Sequence, residues 1–186
     1  MYNQLTTSYM DVLRDPSSHP SRPDAERSFT NDISVRIASG ELDKEECFQI
    51  RRNVFVSELG IPFECDQDQC DAIAVHYLAI YYGRPIATVR LVDKRDGVGK
   101  IGKLAVLQEH RKHGIGTDLM WYVMGAGFRN FHTLVIDSPI EYITFFEKLG
   151  FEKAAVLQGF AMDTEGRESD IVLMIKSLLP AKEKAA

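Results

Sequence analysis

Leu104-Ala-Val-Leu-Gln-Glu-His-Arg-Lys-His-Gly-Ile-Gly-Thr-Asp-Leu119 is the stretch on which the fold turns. Its apolar opening reads as a strand and its charged, glycine-containing middle as a tight loop. Ile115, Leu119 and Val123, recurring at fours, read as the buried stripe of a helix. Gly114 and Gly116 stand where that helix opens and its first amide N–H groups lack intrahelical partners. Amides from Arg111, Lys112, His113, Gly114, Ile115, Gly116 and Thr117 therefore offer a seat for a pyrophosphate.

Working outward, Ile33, Val35 and Ile37 alternate with polar residues as in a strand, and Leu42 to Leu59 switches to a helical period. Asp43 and Glu46 are placed to cap that helix, and Gly60-Ile61-Pro62 stops it. Val75 to Tyr82 and Pro85 to Val92 flank Gly83-Arg84 and are expected to form a hairpin. A third strand, Ile101 to Val106, follows the turn signal Asp96-Gly97. After the helix come a buried strand at Thr133 to Asp137, a helix started by Ser138, Pro139 and Glu141 and stopped at Gly150, and two closing strands. Phe151 to Phe160 and Asp170 to Lys176 supply the last pair. This order predicts an α/β fold with a mixed, mostly antiparallel central sheet flanked by helices.

The chain has 186 residues and 45% hydrophobic content, enough for one well-buried core and short for two. We expect an N-terminal arm over 1–28, with Pro16, Pro20 and Pro23 and no sustained period, then one domain over 29–179 and a tail over 180–186. A formal net charge of −5 argues against a nucleic-acid or anionic-membrane binder and favours cationic or neutral substrates. No apolar stretch has the character of a signal peptide or a membrane span, and three cysteines do not close a disulfide set. A cytoplasmic protein, monomer or homodimer, is the expectation.

Other motifs resolve into plainer readings. Gly97, Gly102 and Lys103 have P-loop spacing, and Gly97, Gly99 and Gly102 spell a dinucleotide fingerprint, but both need a helix where Leu104-Ala-Val106 is strand-like. The acidic run Glu64, Asp66, Asp68 and Asp71 lacks the glycine and glutamate of a calcium loop and reads as a solvated acidic loop, or as an attractor of a cationic acceptor. Cys65 and Cys70 have no second ligand pair, and no metal is expected. His76 reads as a satisfied histidine rather than a catalytic one.

Arg111, Gly114 and Gly116, set between a strand and a helix and followed by Val135-Ile-Asp137 and Ile143-Thr-Phe-Phe-Glu-Lys-Leu-Gly-Phe151, resemble the signature of the GNAT superfamily of N-acetyltransferases. The resemblance runs from about Ile33 to Lys176 and implies the acyl-CoA N-acyltransferase fold, with acetyl-CoA as donor. It also implies pantetheine paired to the backbone of Leu104, Ala105 and Val106, the pyrophosphate on the loop amides, and Phe145 against the pantetheine arm. The implied reaction is direct transfer to the primary amine of a small molecule in a ternary complex. Alternatives are a protein-lysine or N-terminal acetyltransferase and an inactive acyl-CoA-binding module.

The chain departs from the family at the tyrosine that protonates the leaving thiolate, where it has Phe146. Tyr142, one helical turn earlier, is the candidate substitute. Asp137, at the end of a buried strand, is the candidate for orienting the acceptor amine or relaying its proton, or else it caps the following helix with Ser138.

Overall fold

The computed structural model describes residues 32–162 and 168–178. The expected arm and tail lie outside those residues. Seven strands form one sheet in the order β1-β2-β3-β4-β5-β7-β6. They are β1 (Ile33–Ile37), β2 (Val75–Tyr81), β3 (Arg84–Asp93), β4 (Val98–Val106), β5 (Thr133–Pro139), β6 (Glu152–Met162) and β7 (Glu168–Ser177). Only β4 and β5 pair in parallel, and α3 (Ile115–Gly127) makes the crossover between them. The mixed, mostly antiparallel sheet is the one the sequence predicts.

Strand alternation sorts the apolar side chains into two layers. Tyr77, Ala79, Val89, Leu91 and Ile101 pack beneath α3, whose buried stripe includes Ile115, Leu119 and Val123. Leu78, Ile80 and Ala105 face the other way, against Cys47 and Ile50 of the first helix and Val54 of the stretch that follows it. That helix, α1 (Gly40–Arg51), starts at Ser39 rather than at Asp43, whose carboxylate instead accepts the Ser39 N–H at 2.7 Å and pairs with Arg36. It continues as a π-helical stretch, Arg52–Glu58, which no hydrophobic period announces.

The hairpin turn falls one residue earlier than expected, on Tyr82 and Gly83, both with positive φ (46° and 76°). Two positive φ values in a two-residue loop match the twist of the flanking strands. Between β5 and the last helix, α4 (Ile143–Lys148), a 3₁₀ turn over Ile140–Tyr142 intervenes. The predicted Ser138 cap is absent: β5 runs through Pro139, and the Ser138 hydroxyl donates to the Pro139 carbonyl at 2.8 Å.

Candidate active site

Two irregularities in β4 make the site. The register against β3 shifts between Thr88 and Arg90, and Lys103 sits in this bulge at φ 54°. The bulge resets alternation, so Ile101 and Leu104, three residues apart, both pack toward α3. The second irregularity is a splay: β4 pairs with β5 only at Val98, Lys100 and the residue between them. Beyond Lys100, among the described residues, β4 no longer pairs with β5, so at Leu104, Ala105 and Val106 the edge of β4 away from β3 has no strand beside it in the ladder.

The loop after β4 reaches α3 through Lys112 (φ 64°) and Gly114 (φ 79°), the latter at the N-cap without a side-chain hydrogen bond. The side chains of Lys112 and His113 are exposed, while Ile115 is core. α3 thus opens with no side-chain cap on its first amides. Gly116, in the first turn of α3, has no positive φ, and a Cβ there would meet only Val106 Cγ2 at 3.7 Å and Phe145 Cζ at 3.8 Å. Nothing within the described fold requires a glycine at this place, yet it keeps the approach to the helix N-terminus open. Phe145, on α4, is partly buried against the core and borders the first turn of α3. Phe146 is buried, its ring centroid 5.0 Å from Phe145 and 6.2 Å from Phe151.

Glu58, which the sequence reading passed over, meets Arg111 here. Arg111 donates to both Glu58 carboxylate oxygens, at 2.5 and 2.6 Å, and through Nε to the Val106 carbonyl at 2.8 Å. The Arg111 hydrogen bond holds the Glu58 carboxyl below its ordinary range. Arg111 in turn is raised, first by Glu58 and more weakly by the nearby Tyr142 hydroxyl. Tyr142 is half exposed in the 3₁₀ turn that leads into α4. No local pattern links Glu58 to Arg111, because they lie 53 residues apart and π winding decides where Glu58 ends up.

Asp137 shares the α1 side of the sheet with Val135, since Leu134 and Ile136 face α3. Its carboxylate is ion-paired with Lys100 at the start of the splay. It caps no helix: the residue before the 3₁₀ turn is Pro139 and makes no side-chain cap.

The acidic run is only partly solvated: Glu64 and Asp68 are exposed, but Asp66 and Asp71 are drawn into buried ion pairs. Arg51, 1% exposed, binds Asp66 (0%) at 2.9 Å and Asp71 at 2.7 Å. Arg90 reaches Asp68 at 2.8 Å and the same Asp71 oxygen at 2.7 Å. Burial works against charge on Asp71, but the two guanidiniums outweigh it and hold the carboxyl well below normal. Asp66 closes α2 (Phe63–Asp66), and Asp68 and Asp71 form a capping box on the 3₁₀ turn Gln69–Ala72. His76 is buried beside them, with Nε2 3.3 Å from the Asp71 carbonyl, and burial lowers its pKa. Lys103 Nζ donates to the Cys65 carbonyl at 2.7 Å, tying α2 to the β4 bulge. Cys65 and Cys70 are free thiols.

A split β4/β5 pair, a β4 bulge and an amide-rich turn into the following helix agree with the comparison to known sequences. The Acetyltransferase (GNAT) family model matches residues 44–151. The chain belongs to the GNAT acetyltransferase family. As a GNAT protein it is an acyl-CoA-dependent N-acyltransferase. A Bacillus subtilis (strain 168) protein described as an acetyltransferase is 29% identical over 132 residues, 66% of this chain and 86% of that one. Among solved structures, the ribosomal-protein-S18-alanine N-acetyltransferase of Escherichia coli matches with TM-score 0.66 at 18% identity, over 83% of this chain and 99% of that one. An aminoglycoside 6'-N-acetyltransferase complexed with coenzyme A matches with TM-score 0.64 at 15% identity, over 81% and 99%. At such identities the likeness speaks for the GNAT fold alone. No helix among the described residues is long and apolar enough to cross a membrane.

Proposed function

We propose that this protein transfers acetyl from acetyl-CoA to the primary amine of a small molecule, such as a polyamine, amino sugar or amino-acid derivative. Acetyl-CoA is the donor, in keeping with the family and with the coenzyme A held by a structural neighbour. The freed edge of β4 at Leu104, Ala105 and Val106 would hold its pantetheine, the amides of Arg111 to Thr117 its pyrophosphate, and Phe145 would flank the arm. The open approach at Gly116 fits such a group.

One observation supports a small acceptor over a polypeptide. The segment Phe63–Ala72 is fixed against the α1 side of the sheet by the Arg51 and Arg90 ion pairs and by Lys103 at the bulge. A roof pinned by buried charges narrows the approach to the bulge, whereas an extended peptide needs an open groove. Labelled acetyl entering small amines but not peptides is the expected result. Incorporation into peptides alone would overturn this reading.

The donor supplies an acetyl thioester whose carbon is transferred to the amine nitrogen, with the CoA thiol leaving. The chain's part is chiefly to hold both substrates within attack distance, which contributes several kcal/mol without a covalent enzyme intermediate. Amines with a pKa of about 10 must lose a proton before attack. Glu58, held below its ordinary range by Arg111, is a weak base, and Asp137 is matched by Lys100. The amine is therefore deprotonated by solvent, and the rate should climb with pH toward the acceptor's own pKa.

Tyr142 protonates the leaving thiolate in this reading, because Phe146 has no hydroxyl. Tyr142→Phe should lower kcat by about a hundredfold to ten-thousandfold, as expected for loss of a general acid, while acetyl-CoA affinity stays unchanged. An unchanged kcat would remove Tyr142 from the mechanism.

A further inference from the structure

We propose that Glu58 is a positioning residue for the donor loop, acting through Arg111 on the end of β4. The inference rests on the reading of that loop as the donor site. The guanidinium is held by three bonds: its fork grips both oxygens of Glu58, and Nε holds the Val106 carbonyl. Bidentate arginine–carboxylate pairs fix orientation as well as distance. Val106 in turn packs toward Gly116, its Cγ2 3.7 Å from the position a Cβ would take. Glu58 thus sets Arg111, Arg111 sets the last residue of the donor strand, and that residue sets the gap facing the first turn of α3.

The π-helical stretch delivers Glu58 to this place. Leu59 N–H donates to the Val54 carbonyl, five residues back, at 3.1 Å, and so each side chain in the stretch lags its α-helical direction. Val54 stays in the core while Glu58 comes around to meet Arg111. A segment on the α1 side of the sheet is in this way joined to the loop at the mouth of the α3 side. The pairing also keeps Glu58 anionic and Arg111 cationic across the neutral range, so its strength should hardly vary with pH there. A general base would behave oppositely, with activity following its own titration.

Glu58→Ala, Glu58→Gln, Arg111→Ala and the double variant Glu58→Ala/Arg111→Ala are compared with the parent. Acetyl-CoA binding is followed by calorimetry, and kcat and KM for both substrates are measured with an accepted amine. Amide exchange over 108–117 is recorded without donor. We expect Glu58→Ala to weaken acetyl-CoA binding about tenfold, to leave kcat at saturation within about twofold, and to speed exchange in the loop. Glu58→Gln, which retains one acceptor oxygen, should fall between. The double variant should bind no worse than the poorer single one, because both remove one relay. Unchanged donor affinity and loop exchange in Glu58→Ala would overturn the relay. A tenfold loss of kcat with donor affinity intact and a shifted pH profile would overturn it too, marking Glu58 as a base. Absence of acetyl-CoA binding by the parent would overturn the donor reading, and the relay would then stand or fall on loop exchange, which needs no donor.

Discussion

Gly116→Trp should abolish acetyl-CoA binding, by calorimetry, in a protein that remains folded. The indole would project from the first turn of α3 into the slot between Val106 and Phe145, where the helix amides would otherwise meet the pyrophosphate. Gly116→Ala separates this from a folding defect. Its Cβ makes ordinary contacts only, and alanine favours a helix over glycine by about 1 kcal/mol. Thermal stability of the alanine variant should therefore hold or rise while donor affinity falls. If both variants bind acetyl-CoA as the parent does, the donor lies elsewhere and the assignment of the loop fails.

Asp71→Asn should be the most damaging single change to stability, at about 3–5 kcal/mol, which for a chain of this size lowers Tm by about 10 °C. Asp71 bridges Arg51 and Arg90, so removing its charge leaves two buried guanidiniums short of a counter-ion. Asp68→Asn, at a more exposed carboxylate that pairs with one guanidinium, Arg90, and caps the 3₁₀ turn through the Cys70 N–H, should cost less. Thermal melts of the two variants test the ranking, and equal losses would refute it.

The same cluster sets the response to acid. Asp71 and Asp68 titrate below normal in the fold, so their contribution is complete above the ordinary carboxylate pKa of about 4 and is lost as pH falls through their folded values. His76 is lowered by burial, so it favours the fold above its ordinary pKa of about 6.5 and gives that up as pH falls through 6.5 toward its folded value. Tm should decline in two windows, and Asp71→Asn should flatten the lower one.

What the sequence revealed follows from range. The strand, loop and helix over 104–127 were legible because apolar period and paired glycines are local signals, and Phe145 came with the resemblance downstream. The hairpin was placed one residue late because Tyr82 takes a positive φ that its side chain does not advertise. The acidic run looked solvated because its partners, Arg51 and Arg90, lie 20 and 19 residues from Asp71 and meet it only once the sheet exists. Asp137 was located on the correct strand, but its pairing with Lys100, 37 residues away, depends on parallel strand pairing that local patterns do not encode.

The three-residue seam between β4 and β5 also makes the sheet behave as two leaves of a book, β1 to β4 on one side and β5 to β7 on the other, with α3 as part of the spine. Backbone pairing across the fold is thinnest at this seam. A donor lying in the gutter would bridge both leaves, so saturation should tighten the whole molecule as well as fill a site. At a hundredfold excess over Kd that linkage amounts to about 2.7 kcal/mol. With the donor in that gutter, amide exchange along the seam should slow most on loading.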